Sequence, residues 1–395
     1  MNLPSSAPPP RYFAVIVGAG LSGAVLAERI ATVLRQPVLL VDKRAHIAGN
    51  VYDERREDSG LLESRYGAHL FHTDDEPVWA YLQAFATWRR WDHKVLARVG
   101  ERLVPVPANI TTVNALFGAN LRDEGEMRGW MAREREGQRA EAGAANSEEV
   151  ALARVGPRLY GALFRDYTRK QWGVGAAELE PLVLQRIPVR ESFDDRYFGD
   201  RFQALPEGGY TAMVARMLDS PLITVRLGTD FFESRAELEQ AAAQWLLYTG
   251  PVDAFFPGAG LPRLEYRSIS FSREVHPCVG YAQPNSVVNY AGADVPATRT
   301  VEYKHFLHQQ SDRTALVTET TTGEGEPYYP LPTRRNVELH AQYQALVAER
   351  EARAGLPRVR FVGRLATYKY INMDAAVKQA LALFEEVRGA YEGGP

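Results

Sequence analysis

Residues Tyr12 to Val17 form an unbroken apolar run that stops at Gly18, the pattern of a strand buried on both faces. Beyond the glycines, Leu21, Val25, Ile30, Val33 and Leu34 approximate helical spacing, and Val38-Leu-Leu-Val41 is a second apolar run. Together they predict a β-α-β unit. Downstream, the spacing predicts helices over 76–91, 147–171 and 373–387, with short strands between 95 and 107. Runs at 268–271, 287–290, 300–305 and 314–320 follow one another with turns between them and no helical segment, which predicts an antiparallel sheet. Residues 122–149 carry dense charge of both signs among helix formers, the composition of a solvated helical surface with a loose turn.

Gly18-Ala-Gly20-Leu-Ser-Gly23 falls between the first predicted strand and helix, and Asp42 closes the next strand. The first glycine permits the tight turn and the second lets the backbone approach a pyrophosphate. The third lets the helix pack on the sheet, and the helix N-terminus offers unpaired N–H groups to the anion. Asp42 supplies acceptors for a ribose diol. The loop alone does not separate NAD from FAD. Lys43-Arg44 and a second small-residue turn from His46 to Asn50 follow, then Tyr66 to Thr73 with His69 and His72. Flavoproteins with two dinucleotide motifs carry such a continuation. Near the far end, Arg360 to Leu365 gives an apolar strand, then Gly363 and Arg364 before the last helix, an order that closes over a cofactor. The spacing of His69 and His72 justifies no metal site.

Composition narrows the class. A chain of 395 residues, 45% hydrophobic and 24% charged, is globular and long enough for two or three units. Lys plus Arg is 46 and Asp plus Glu 49, a net charge of −3, so there is no global basic field for nucleic acid. The lone Cys278 cannot form an intramolecular disulfide or a zinc site with scattered histidines, which fits a reducing, cytoplasmic setting. Residues 1–10 have no signal-peptide pattern and read as a disordered tail; Phe13 to Ala27 is too short and too glycine-broken to cross a bilayer. Between 160 and 200 the chain places Tyr160, Phe164, Tyr167, Trp172, Arg186, Arg190, Tyr197 and Phe198. Flat rings stack on a base and arginine forks suit phosphate oxygens, although the rings at 160, 164 and 167 alone equally fit a buried helix face. Arg299 adds another fork, and Glu326-Pro-Tyr-Tyr329-Pro330 an extended pair of phenols.

From Arg11 onward the chain resembles the bacterial UDP-galactopyranose mutase family. The resemblance is carried by the glycine loop, Lys43 to Asn50, Gly67-Ala-His-Leu-Phe-His-Thr73, Tyr167-Thr-Arg-Lys-Gln-Trp-Gly173, Arg186-Ile-Pro-Val-Arg190, Asp194-Asp-Arg-Tyr-Phe198, Glu326-Pro-Tyr-Tyr-Pro330 and Gly363-Arg-Leu365 with Tyr370. The glycine loop is widely shared; the Lys-Gln-Trp, Arg-Ile-Pro-Val-Arg and Glu-Pro-Tyr-Tyr-Pro segments are far more discriminating. The resemblance implies a non-redox flavoenzyme interconverting UDP-galactopyranose and UDP-galactofuranose. In that family reduced FAD attacks the anomeric carbon through N5, UDP leaves, and a flavin-sugar adduct lets the ring open and reclose. It further implies that Arg186, on a mobile lid, and Arg299 hold the diphosphate, that Trp172 stacks near uracil, and that Phe164 and Tyr167 line the nucleotide pocket. Tyr197, Tyr329 and Tyr370 approach the diphosphate, Asn109 and Asn372 lie near the sugar, and His69 and His72 lie by the flavin, His72 among the catalytic groups. Gly18, Gly20, Gly23, Asp42, Lys43, Asn50, Gly363, Arg364 and Met373 contact the cofactor. A homodimer without nucleic-acid or membrane partners is implied as well.

The expected architecture is α/β: a discontinuous Rossmann-like FAD-binding domain (11–78, 207–262 and 335–395), a helical domain (110–181) and an antiparallel β-sheet domain (79–109, 182–206 and 263–334). The chain departs from the family pattern at Asn372, where many members have Asp, at Ala48, where a glycine is common, and around 348–357, which looks longer. Two other readings remain: a redox flavoenzyme related to amine oxidases or desaturases, which shares the glycine loop and the closing Gly363-Arg364, and a nucleotide-sugar binding protein without catalysis, which keeps Trp172 and the arginines.

Overall fold

The computed structural model describes residues 11–185, 189–353 and 357–393; the 1–10 tail and Arg186 lie outside them. Tyr12–Val17 and Val38–Val41 are strands over the predicted spans and pair in parallel, Ala14 opposite Val38 through Val17 opposite Val41. They are central in a five-stranded parallel sheet ordered Ile223–Arg226, Val38–Val41, Tyr12–Val17, Ala242–Tyr248 and Arg358–Phe361. Three distant stretches of sequence therefore build one sheet. Alternation sends Ala14 and Ile16 into one core, with the Leu21–Arg29 and Met373–Glu392 helices, and Val15 into another with Phe231, Leu238 and Phe255. Both faces are covered, which is why these strands read as continuous apolar runs.

A second, seven-stranded sheet runs Tyr329–Pro330, Tyr266–Pro277, Arg313–Thr322, Arg299–Glu302, Val287–Tyr290, Val95–Val99 and Arg102–Val106. It is not wholly antiparallel as expected: Val287–Tyr290 runs parallel to Val95–Val99, Val288 opposite Leu96. These two strands come from distant parts of the chain, so no hairpin forces them to oppose. The expected strand over 300–305 ends at Glu302 and becomes a tight helical turn, Tyr303–His308, whose Leu307 and His308 take positive φ.

Two helical expectations need correction. The helix expected over 76–91 is capped by Asp75 and ends at Gln83; Trp88–Arg90 instead pairs antiparallel with Phe202–Pro206. A partner more than a hundred residues away overrides the local pattern. The charge-dense segment forms a helix, Glu124–Glu134, that is not simply solvated, because Met127, Trp130 and Met131 are buried. The predicted 147–171 helix runs from Ser147 to Trp172 in three pieces, broken where Gly156 adopts φ 74° and widened to a π turn at Tyr160–Phe164. No helix among the described residues is long and apolar enough to cross a membrane.

A Cβ built at Gly156 would lie 2.4 Å from the Glu134 carbonyl oxygen, in a backbone region that disfavours side chains. We expect Gly156→Ala to destabilise the protein by at least about 2 kcal/mol. Gly161→Ala, where an added Cβ meets nothing within 4 Å, should change the melting temperature little. Thermal unfolding of the two variants side by side checks this.

Candidate active site

The glycine loop joins the first strand to the Leu21–Arg29 helix through contacts that exclude side chains. Gly18 has φ 107°, and a Cβ there would sit 1.9 Å from Thr249 Oγ1; one on Gly23 would sit 1.9 Å from the Gly18 carbonyl oxygen. The second turn packs onto the first: a Cβ on Gly49 would lie 2.8 Å from the Gly20 Cα. Ala48, beside it, holds φ 71°, a left-handed position that side chains rarely adopt. These turns line a groove of about 490 Å³ together with Asp42, Lys43, Asn50, His69, Gly363, Arg364 and Met373.

The polar groups of the groove are held in place by the chain itself. Asp42 accepts from the backbone N–H of Ala19 (2.8 Å) and of Arg44 (2.9 Å), which aims its carboxylate across the loop. Asn50 Oδ1 accepts from Arg44 Nη1 at 2.9 Å, and Lys43 reaches across the mouth to Glu326 at 2.7 Å. Arg364 donates to the Ile371 carbonyl through Nη2 (2.6 Å) and lies 5.0 Å from the Tyr329 ring centre. Gly363, at φ 91°, passes close to Ser22. His69 Nδ1 donates to the Gly67 carbonyl at 2.8 Å, since a carbonyl only accepts, leaving Nε2 with a lone pair. Burial pushes the His69 imidazole down to about 4, so it is neutral near pH 7.

A second cavity, about 690 Å³, adjoins this groove, and Asn372 lines both. Phe164, Tyr167 and Trp172 enter it from one helical run, Tyr197 from a loop, Arg299 and Tyr329 from two strands of the seven-stranded sheet, and Tyr370 from the segment before the last helix. Trp172 meets Tyr370 edge-on with ring centres 5.4 Å apart. Burial raises the phenols of Tyr167, Tyr197 and Tyr329 above their ordinary value, so they are neutral hydrogen-bond donors. Arg299 Nε donates to Glu319 Oε2 at 2.7 Å, and Glu319 is 2% exposed. At the junction, His72 Nδ1 is 2.9 Å from Asp200 Oδ2 and His72 Nε2 is 3.3 Å from Asn372 Nδ2. Its ring stacks on Phe198 at 3.7 Å, and its hydrogen bond holds the Asp200 carboxyl below the usual range.

The structure thus gathers the anticipated residues around two adjoining spaces, with two exceptions. Arg186 lies outside the described residues. Asn109 lines neither cavity: fully buried, it caps the Ile110–Phe117 helix, accepting from Thr112 N at 2.9 Å and donating to the Asp194 carbonyl at 3.2 Å. Its amide is taken up by these bonds within the fold. Asp200 and Glu319 are the residues that sequence reasoning missed. Glu319 is opposite Arg299 in the strand register, and only that register shows an acidic residue turned inward to an arginine.

The fold and the two spaces define a dinucleotide-binding α/β enzyme with an aromatic, arginine-bearing cavity beside its dinucleotide groove. Residues 16–85 match a family described as NAD(P)-binding Rossmann-like domain, and residues 162–370 match one described as UDP-galactopyranose mutase. A probable UDP-galactopyranose mutase from Klebsiella pneumoniae is 35% identical over 376 residues, 94% of each chain. A dTDP-fucopyranose mutase from Escherichia coli is 32% identical over 373 residues, 93% of this chain and 96% of its own. A crystal structure of reduced UDP-galactopyranose mutase superposes with a TM-score of 0.76 over 97% of this chain and 94% of its own, at 15% identity, and so shares the fold. The chain belongs to the UDP-galactopyranose mutase family, a family of isomerases.

Two outcomes follow from the local chemistry. Replacing the Asn109 cap, Asn109→Ala, should cost about 1 kcal/mol of stability and leave UDP affinity, measured by calorimetry on folded protein, unchanged. His69 and the buried His93, pushed down to about 4 and about 3 mainly by burial, bind protons in the unfolded chain before the folded one. Stability should therefore be full above pH 6.5 and fall as pH drops towards 4, and a melting-temperature titration of cofactor-free protein should show a shallower fall in His93→Phe.

Proposed function

We propose that this enzyme interconverts UDP-galactopyranose and UDP-galactofuranose using reduced FAD. The observation that carries the reading is the meeting of two spaces at Asn372: a backbone-lined dinucleotide groove on one side and an aromatic, arginine-bearing cavity on the other. The glycine turns, whose missing Cβ atoms leave room only for backbone, fit a pyrophosphate, and Asp42 fits a ribose diol. Gly363, Arg364 and Met373, from the far end of the chain, fit the flavin end of an extended dinucleotide. Reduced FAD, when bound, supplies the nucleophile for the anomeric carbon at N5.

The protein's share is binding and charge. Trp172, Phe164 and Tyr167 hold the uracil end of the substrate. Arg299, kept charged and oriented by Glu319, faces the diphosphate with the neutral phenols of Tyr197 and Tyr329 and with Tyr370, and Arg186 completes the grip in the resemblance. These donors act most strongly as the glycosidic bond breaks and charge grows on the departing UDP. Ring opening and reclosure move a proton between sugar oxygens; His72, with Nδ1 donating to Asp200 and Nε2 accepting from the Asn372 amide, stands at the junction where that sugar would lie. Asn372 sets the orientation of that ring as an amide, so the reaction proceeds here without the carboxylate that many relatives have. The lone Cys278 and the family resemblance support a cytoplasmic homodimer, which sedimentation of the purified protein checks.

Purified protein should be yellow, and product should form from UDP-galactofuranose only after chemical reduction; turnover by the oxidised enzyme would instead mark a redox flavoenzyme. Since one relative is named for dTDP-fucopyranose, the same assay offers that sugar nucleotide in parallel, and faster turnover of it would overturn the proposed substrate. Arg299→Ala should lower kcat/KM by about 2–4 kcal/mol of transition-state stabilisation with flavin content unchanged.

A further inference from the structure

Lys170 lies in the last turn of the Arg165–Trp172 helix, the helix that brings Tyr167 and Trp172 to the nucleotide cavity, yet Lys170 does not line that cavity. Its Nζ instead donates to four backbone carbonyls of a single loop: Tyr290 at 2.5 Å, Gly292 at 2.7 Å, and Val295 and Ala297 at 3.0 Å. An ammonium has three protons, so four acceptors share them, as oxygens share a bound cation. Asp294 of the same loop gives its carboxylate to Arg98 at 2.8 Å, so the lysine's direct partners in the loop are carbonyl dipoles. Those dipoles, converging on one point, repel one another unless a positive charge fills it. The loop connects Val287–Tyr290 to Arg299–Glu302, and the cavity residues Asn289 and Arg299 stand at its two ends.

We propose that Lys170 is a positioning residue, an internal cation that gathers the Tyr290–Thr298 loop and thereby sets Arg299 against the helix that carries Trp172. The proposal rests on the reading of this cavity as the nucleotide site. The cage suits a compact point charge. An arginine's planar fork distributes its donors in one plane and does not converge on four carbonyls in this way, whereas a free ion of ammonium size does. Emptied of its lysine, the loop becomes a site for a small monovalent cation.

Lys170→Ala should weaken UDP binding by at least about tenfold. Lys170→Arg should not restore it, whereas ammonium or methylammonium added to Lys170→Ala should restore part of it and raise the melting temperature, with tetramethylammonium doing neither. In the parent enzyme, an amine-acylating reagent should modify Lys378, whose side chain is 70% exposed, and spare Lys170. Acylation of Lys170 at the rate of Lys378 would show that the cage does not form. Parent-like UDP affinity in Lys170→Ala, full activity in Lys170→Arg, or failure to fold even with ammonium present would each overturn the positioning role. If the parent bound no UDP, the nucleotide reading would fall, while acylation and the ammonium-dependent melting temperature would still decide the cage.

Discussion

The approach of backbone to backbone at the first turn of the parallel sheet is the constraint on which the cofactor groove depends. Gly23 lies so near the Gly18 carbonyl that a side-chain carbon would overlap it, and a side-chain carbon on Gly49 would sit 2.8 Å from the Gly20 Cα. Only because those positions lack Cβ atoms does the Leu21–Arg29 helix start tight against the sheet, with its free N–H groups at the mouth of the groove. The remaining parts are hung from that corner. Asp42 is aimed by the Ala19 N–H, Thr249 packs over Gly18, and Gly363 returns from the far end of the chain to pass beside Ser22.

Charge is arranged on a similar economy. The chain is close to neutral overall, and in its two adjoining spaces Arg299 and Arg364 are each fixed by something the fold supplies. Arg299 has a buried carboxylate, and Arg364 has the Ile371 carbonyl beneath its fork. Around them burial keeps the phenols protonated, so they add hydrogen-bond donors without adding charge. In the proposed reaction such a site strengthens its grip as negative charge grows on the leaving group, because its dipoles are already oriented. Lys170 extends the same device away from the substrate, where a cation surrounded by carbonyls organises backbone.

The β-α-β unit was legible to the residue, since strands buried on both faces leave apolar runs bounded by glycine, and those runs do not depend on a distant partner. The four antiparallel runs were legible both as strands and as a sheet; the parallel seam between Val287–Tyr290 and Val95–Val99 was not, because it arises from a partner far upstream. Trp88–Arg90 was hidden inside an apparent helix for the same reason, its pairing with Phe202–Pro206 being decided across the fold. The helix-capping role of Asn109 was not legible, because a polar residue reads alike whether it faces a ligand or caps a helix.

By itself, then, the sequence determined the residue types that the chemistry needs: glycines where backbone must touch backbone, an acid after the second strand, rings and arginines in motifs specific enough to place the chain in its family. What only the tertiary structure decided is how they meet. Asn372 touches both spaces, His72 is held between Asp200 and Asn372, and Arg299 finds Glu319 across a strand pair. Each of those relations depends on sheet register and on chain segments that are far apart in sequence, and local patterns carry no information about either.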